Sequence, residues 1–306
     1  MVNKKIEGLV AASLTGFHPD GSVNLEIIPA YAEMLSKNGV VGVFVNGTTG
    51  EGDKLTFNER RALAEKWVSS APRELRVIIH VGYTDPATSR ALAVHAADIG
   101  ADAIGEIGPL QDSPESVQDL VKYSAATAGT VPQFPYYYYH MPSINGLSFS
   151  MIEYLQYADD MIPNLAGIKY THDDIGDYQS CREFKNGKYD ILFGRDEYLI
   201  DGLRAGAKGA VGSTYNIIAP LYNKLIKAFC AGDFEYAESL QKISAASCLT
   251  IYKSGSFGSG LKTIMRMIGL DFGGMRSPRV NLSKKSADEL VTFVMESGLR
   301  DFLNRV

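Results

Sequence analysis

The sequence predicts an α/β protein built as a (β/α)8 TIM barrel with a C-terminal helical extension, and three observations lead there. Eight short apolar runs recur between Gly8 and Ser213, each long enough only for a buried strand. Helical patterns with capping residues fill most of the intervals. The chain has 306 residues, enough for one large barrel or two ordinary domains.

The runs are Gly8 to Thr15 (GLVAASLT), Val40 to Gly47 (VVGVFVNG), Arg76 to Gly82 (RVIIHVG) and Ala101 to Gly108 (ADAIGEIG). They continue with Gln133 to His140 (QFPYYYYH), Leu165 to Thr171 (LAGIKYT), Asp190 to Gly194 (DILFG) and Gly209 to Ser213 (GAVGS). Strands buried on both faces and alternating with helices imply a parallel sheet with crossover helices. Eight such units suit a closed barrel better than an open doubly wound sheet. A flavodoxin-like or Rossmann sheet with an added domain is the competing fold. It loses its usual support because no G-x-G-x-x-G follows the first run.

The helices carry their own punctuation. Asp85 reads as an N-cap, Pro86 as a first-turn residue and Gly100 as the residue past the end. Ser113, Pro114 and Gly129 repeat that pattern, and Thr56 with Glu59 has capping-box spacing. After Ser213 the chain reads as helical to its end. The expected barrel covers roughly residues 5–230 and the extension roughly 231–306, with no linker between them, so 1–306 reads as a single domain.

Composition narrows the function. Hydrophobic residues make up 45% and charged residues 21%, which suits a globular protein with a substantial core. The net charge of -5 supplies no basic field to recruit nucleic acid or an anionic membrane. Three cysteines, Cys181, Cys230 and Cys248, lie far apart without a Cys-x-x-Cys pair, as expected of a reducing cytoplasm rather than a disulfide scaffold or thiolate zinc site. The N-terminal MVNKKIEGLVAASLTGF resembles a signal peptide, but its apolar part is short, contains Glu7 and leads into the turn-like HPDG, so a strand is the expectation. No apolar segment approaches the ~18 residues of a membrane span.

The chemistry concentrates at strand ends. In LAGIKYT, alternation sets Leu165, Gly167, Lys169 and Thr171 on one face and Ala166, Ile168 and Tyr170 on the other. The first face would aim Lys169 into the barrel, where loss of water lowers the pKa of an ammonium and leaves a nucleophilic amine. A solvated lysine is the competing reading. In PYYYYHMP, Tyr137 and Tyr139 share a face opposite Tyr136 and Tyr138, and neighbouring strands would stand Tyr139 beside Lys169; rings that only pack are the alternative. The loop NGTTGEGDKLT offers backbone amides and the Thr48 and Thr49 hydroxyls to an anion such as a carboxylate, or simply a turn with a helix cap. The five histidines, His18, His80, His95, His140 and His172, lack metal-ligand spacing, so no metal is expected. SGLK, Ser259 to Lys262, matches Ser-x-x-K, but no Ser-Asp-Asn or Lys-Thr-Gly accompanies it. Lys284 and Lys285 read as a solvated helix start.

Taken together, NGTTGEG, YYYYHMPS, GIKYT, FGRDE and GAVGSTYN, in this order and at these intervals, resemble the pyruvate-dependent class I aldolases of the N-acetylneuraminate lyase and dihydrodipicolinate synthase superfamily. The resemblance runs from GLVAASLTGF to the terminal helices. It implies a barrel with a C-terminal helical bundle, usually a homotetramer, acting in the cytoplasm without a cofactor on pyruvate and a sugar or aldehyde partner. It also implies roles for residues. Lys169 would form a Schiff base with the keto carbon of pyruvate and Tyr139 would shuttle the proton. Thr48 and Thr49 would hold the pyruvate carboxylate, and Thr171 would line the same face.

Details of the resemblance favour the sialic acid lyase branch. The synthases typically read Tyr-Asn-x-Pro-Ser-Arg, whereas this register ends in Ile144, and an isoleucine cannot bind a carboxylate as arginine does. The paired tyrosine that synthases carry after the fourth strand is replaced by Leu110 and Gln111. GRDE matches the Gly-x-Asp-Glu of the lyases, which implies sugar contacts from Gly194, Asp196 and Glu197, and GSTYN supplies Ser213. The lyases' bulky aromatic after the fourth strand is missing, and KSGSFGSGLK is a residue longer than the bacterial lyase pattern, which bears on Phe257 as a sugar contact. Sister aldolases for other 2-keto acids, such as 2-keto-3-deoxygluconate, and a barrel that binds without turnover are the rival functions.

Overall fold

In the computed structural model, which describes residues 5–306, eight parallel strands close into a barrel in chain order. They are β1 (Gly8–Ala12), β2 (Val40–Val45), β3 (Arg76–His80), β4 (Ala103–Ile107), β5 (Tyr136–His140), β6 (Leu165–Tyr170), β7 (Asp190–Phe193) and β8 (Gly209–Gly212). Each lies within one of the eight apolar runs. The apolar part of the N-terminal segment forms β1, as the strand reading expected; Met1 to Lys4 lie outside the described residues. No helix of the described residues is long and apolar enough to cross a membrane.

The helices around the barrel are α1 (Ile28–Lys37), α2 (Phe57–Ser70), α3 (Pro86–Asp98), α4 (Val117–Ala128), α5 (Pro142–Asn145) and α6 (Met151–Met161). They continue with α7 (Ile175–Gly187), α8 (Leu199–Arg204) and α9 (Tyr215–Cys230), and the extension adds α10 (Phe234–Lys253), α11 (Phe257–Ile268) and α12 (Lys284–Glu296). Thr56 and Glu59 form the expected capping box, and the Asp85 carboxylate accepts from the Ala87 and Thr88 amides. The start of α4 is a correction. Ser116, not Ser113, caps it, because the Ser116 hydroxyl accepts from the Asp119 amide while its proton goes to the Asp119 carboxylate, an exchange Ser113 and Pro114 cannot make.

Two apolar layers result. Alternate side chains such as Val10, Phe44, Ile78, Tyr137, Tyr139 and Val211 fill the barrel, while Tyr136, Tyr138, Ile168 and Tyr170 pack outward beneath the helices. The tyrosine quartet therefore splits as alternation requires. In β6 the alternation slips at its start. Tyr136 pairs with Leu165 but Tyr137 pairs with Gly167, so Leu165 joins the outer layer and Ala166 the inner, the reverse of the expectation. The irregularity ends at Gly167, where an added Cβ would lie 1.7 Å from the Asp190 carbonyl oxygen. Beyond it Lys169 faces inward.

One buried carboxyl lies under the helices. Glu106 of β4 accepts from Thr127 and Tyr136, both at 2.9 Å, and burial pushes its pKa up to about 8. The folded state therefore holds this proton more tightly than the unfolded chain does. Stability from this group is complete below about pH 4.5 and is lost as pH rises to about 8, on the order of a few kcal/mol in all. Glu106→Gln is expected to flatten that decline in denaturant titrations run from pH 5 to pH 9.

Candidate active site

At the C-terminal ends of the strands the side chains converge on one open cavity of about 1120 Å³. Lys169 lies in its floor, only 5% exposed. Its Nζ stands 4.2 Å from the centroid of the Phe44 ring and 3.8 Å from that of Tyr139, its register partner on β5. Burial lowers its pKa to about 7, and the opposing pull of the Asp196 carboxylate is the weaker effect. His80 stands at the end of β3, its ring 5.7 Å from Phe44 and 6.0 Å from Tyr139. Burial first, then Arg60 and Lys169, hold His80 well below its ordinary range. It stays neutral and adds no second charge beside the amine.

The Tyr139 hydroxyl is also inside, directed at the Met141 thioether 2.7 Å away. Burial pushes the phenol up to about 12, with the Thr48 and Thr171 hydroxyls pulling the other way. Such a group is protonated at neutral pH, so it can relay a proton but not store a negative charge. Thr48, Thr49 and Thr171 line the cavity around this pair. The Thr49 hydroxyl meets that of Ser213 at 2.7 Å, linking the ends of β2 and β8. Thr171 Oγ1 is buried without a hydrogen bond of acceptable geometry, a polar atom left for a ligand. Gly194 makes room for it, since a Cβ there would lie 2.1 Å from that oxygen.

The far wall is acidic. Asp196 is 7% exposed, and its Oδ2 accepts from the Thr214 amide at 2.7 Å and hydroxyl at 2.6 Å. Burial raises it to about 6 against those two hydrogen bonds. Glu197 is more open, with one oxygen held by Arg195 at 3.0 and 3.2 Å. Both residues can accept from hydroxyls of a polyol. Every candidate site residue, Lys169, Tyr139, Thr48, Thr49, Thr171, Gly194, Asp196, Glu197 and Ser213, lines this one cavity.

Sequence reasoning gave no site role to several lining residues: Met141, Arg195, Arg279, and Cys248 and Tyr252 on α10. Nor did it single out Phe44, whose ring packs against the amine. The extension thus completes the mouth, because α10 packs on both α9 and the turn at Asp196–Tyr198. Only spacing along α10 could have hinted at this. Phe257 does line the cavity, whereas Leu110, Gln111 and Ile144 do not. Ser259 accepts from the Leu282 amide and Lys262 pairs with Glu51, so SGLK is no nucleophile–base pair. Among the described residues no group of three or more His, Cys, Asp or Glu is arranged to hold a metal ion.

Known proteins resemble this chain in sequence and in fold. The N-acetylneuraminate lyase of Mus musculus is 38% identical over 307 residues, covering 98% of this chain and 94% of that protein. The structure of Proteus mirabilis N-acetylneuraminate lyase superposes with a TM-score of 0.91 at 39% identity, covering 94% of this chain and 97% of its own. That of the Aliivibrio salmonicida enzyme gives 0.93 at 37% identity, covering 98% and 99%. The family model described as the dihydrodipicolinate synthetase family matches residues 5–297, nearly the whole chain, and the chain belongs to that family.

Proposed function

We propose that this protein is a Schiff-base aldolase, a lyase that reversibly cleaves N-acetylneuraminate to pyruvate and N-acetylmannosamine. The observation that carries the reading is the Lys169 amine, buried between two rings with its pKa lowered to about 7 and next to the Tyr139 phenol. The relatives at 38% identity are named for this reaction. The single domain, a homotetramer, a cytoplasmic location and a place in carbohydrate metabolism belong to the same proposal.

Neutral Nζ adds to the C2 ketone of the open-chain sugar acid, and loss of water gives a protonated imine. The Thr48–Thr49 turn holds the adjoining carboxylate. Tyr139 takes the proton of the C4 hydroxyl while passing its own to that carboxylate, directly or through the Thr48 hydroxyl, a relay that suits a phenol near 12. The C3–C4 electron pair moves into the imine, N-acetylmannosamine departs, and an enamine remains. Protonation at C3 and hydrolysis release pyruvate and restore the amine. Asp196, Glu197 and Ser213 accept and donate to the sugar hydroxyls. An aldehyde partner that carries its own carboxylate is disfavoured because the mouth's arginines are already committed, Arg195 to Glu197 and Arg279 to Asp53.

Borohydride added to protein and pyruvate is expected to leave a covalent mass on Lys169, and none in Lys169→Ala. Absence of any adduct would mean a binding barrel. A panel of N-acetylneuraminate, 2-keto-3-deoxygluconate and aspartate semialdehyde is expected to favour the first; preference for the last would make the chain a synthase. Tyr139→Phe is expected to lower kcat by roughly 10²–10⁴-fold, measured by pyruvate release. Because the lowered pKa belongs to the attacking amine, kcat/KM is expected to fall about tenfold per pH unit below about 7.

A further inference from the structure

The turn that presents Thr48 and Thr49 is fastened from the far end of the chain. Glu51, two residues on, is fully buried and adopts a left-handed conformation with φ 57°. Its carboxylate accepts from Lys262 Nζ of α11 at 2.8 Å and from the Arg276 amide at 2.9 Å. Lys262, itself 2% exposed, also donates to the Gly274 carbonyl at 2.7 Å and lies over the Phe17 ring. From the same segment Arg276 grips Glu59 and the Lys54 carbonyl, and Arg279 reaches Asp53 at 2.6 Å and the Thr48 carbonyl at 3.4 Å. On the other side, the Gly50 carbonyl accepts from Thr15 at 2.6 Å.

A left-handed glutamate does not hold its conformation unaided. Here both carboxylate oxygens are used, and each partner belongs to the extension rather than the barrel. We propose that Glu51 and Lys262 are positioning residues for substrate, their buried ion pair setting the Thr48–Thr49 turn at the distance the keto-acid carboxylate requires. The inference rests on the reading of that turn as the carboxylate site. It gives the extension a second task besides walling the mouth: losing the pair lets the turn relax away from Tyr139 and Lys169, while the amine, held by β6 and Phe44, stays where it is.

The double variant Glu51→Gln/Lys262→Met removes both charges together and so leaves no buried ion unpaired. With borohydride trapping followed against pyruvate concentration, it is expected to raise the half-saturating concentration about tenfold, the worth of one misplaced charged hydrogen bond, with the saturating rate within about threefold of wild type. Leu120→Ala, a core truncation on α4, serves as the stability control and is expected to lower the melting temperature without moving half-saturation. Should the double variant melt below the assay temperature, Lys262→Arg, which keeps the charge on a different stem, carries the same test. Unchanged half-saturation in a folded variant would overturn the inference and leave a simple structural brace. A wild-type protein that forms no adduct would instead overturn the pyruvate reading, and the inference with it.

Discussion

A lysine amine kept free of charge by its surroundings is the constraint to which the rest of the structure answers. Water must be excluded from Lys169, and the Phe44 and Tyr139 rings do so from two sides. Nearby groups must not restore the charge. His80 is neutral through burial, and Asp196, a carboxylate that acts on the amine, spends one oxygen on Thr214. An aspartate free to approach more closely would favour the ammonium over the neutral amine.

Proton traffic follows from the same burial. The apolar floor that lowers the lysine raises the phenol, so the two groups are driven apart in pKa: the amine can lose its proton near neutral pH while the phenol keeps its own. Neither requires a charged partner in contact. The barrel supplies this economically, because register pairing of Tyr139 with Lys169 sets their separation through backbone hydrogen bonds rather than through a flexible loop.

Substrate choice is built differently. The barrel fold accommodates many partners for the same keto-acid chemistry, and discrimination lies in side chains at the rim. Here the rim joins acidic hydrogen-bond acceptors, Asp196 and Glu197, to a wall from α10 bearing Cys248 and Tyr252, with Arg195 and Arg279 engaged by neighbouring carboxylates. That surface suits hydroxyl groups better than a second anion. The extension is accordingly part of the site and not an appendage, since it furnishes a wall of the cavity and the ion pair beneath the threonine turn.

Strand period, capping residues and glycine punctuation were enough to derive eight β/α units and their order from the sequence, since these depend on local sterics and on burial of each strand's two faces. The inward face of Lys169 and the split of the tyrosine quartet followed from alternation alone, and motif resemblance assembled the site residues. Ala166 shows the limit: alternation assumes an unbroken ladder, and a register shift against β5, invisible in LAGIKYT, reversed the first two residues. Only tertiary packing decided that Glu51 meets Lys262 across 211 positions, that α10 walls the mouth, and that the amine titrates near 7. Those properties depend on desolvation and on contacts between distant segments, and neither quantity is carried by any local run of residues.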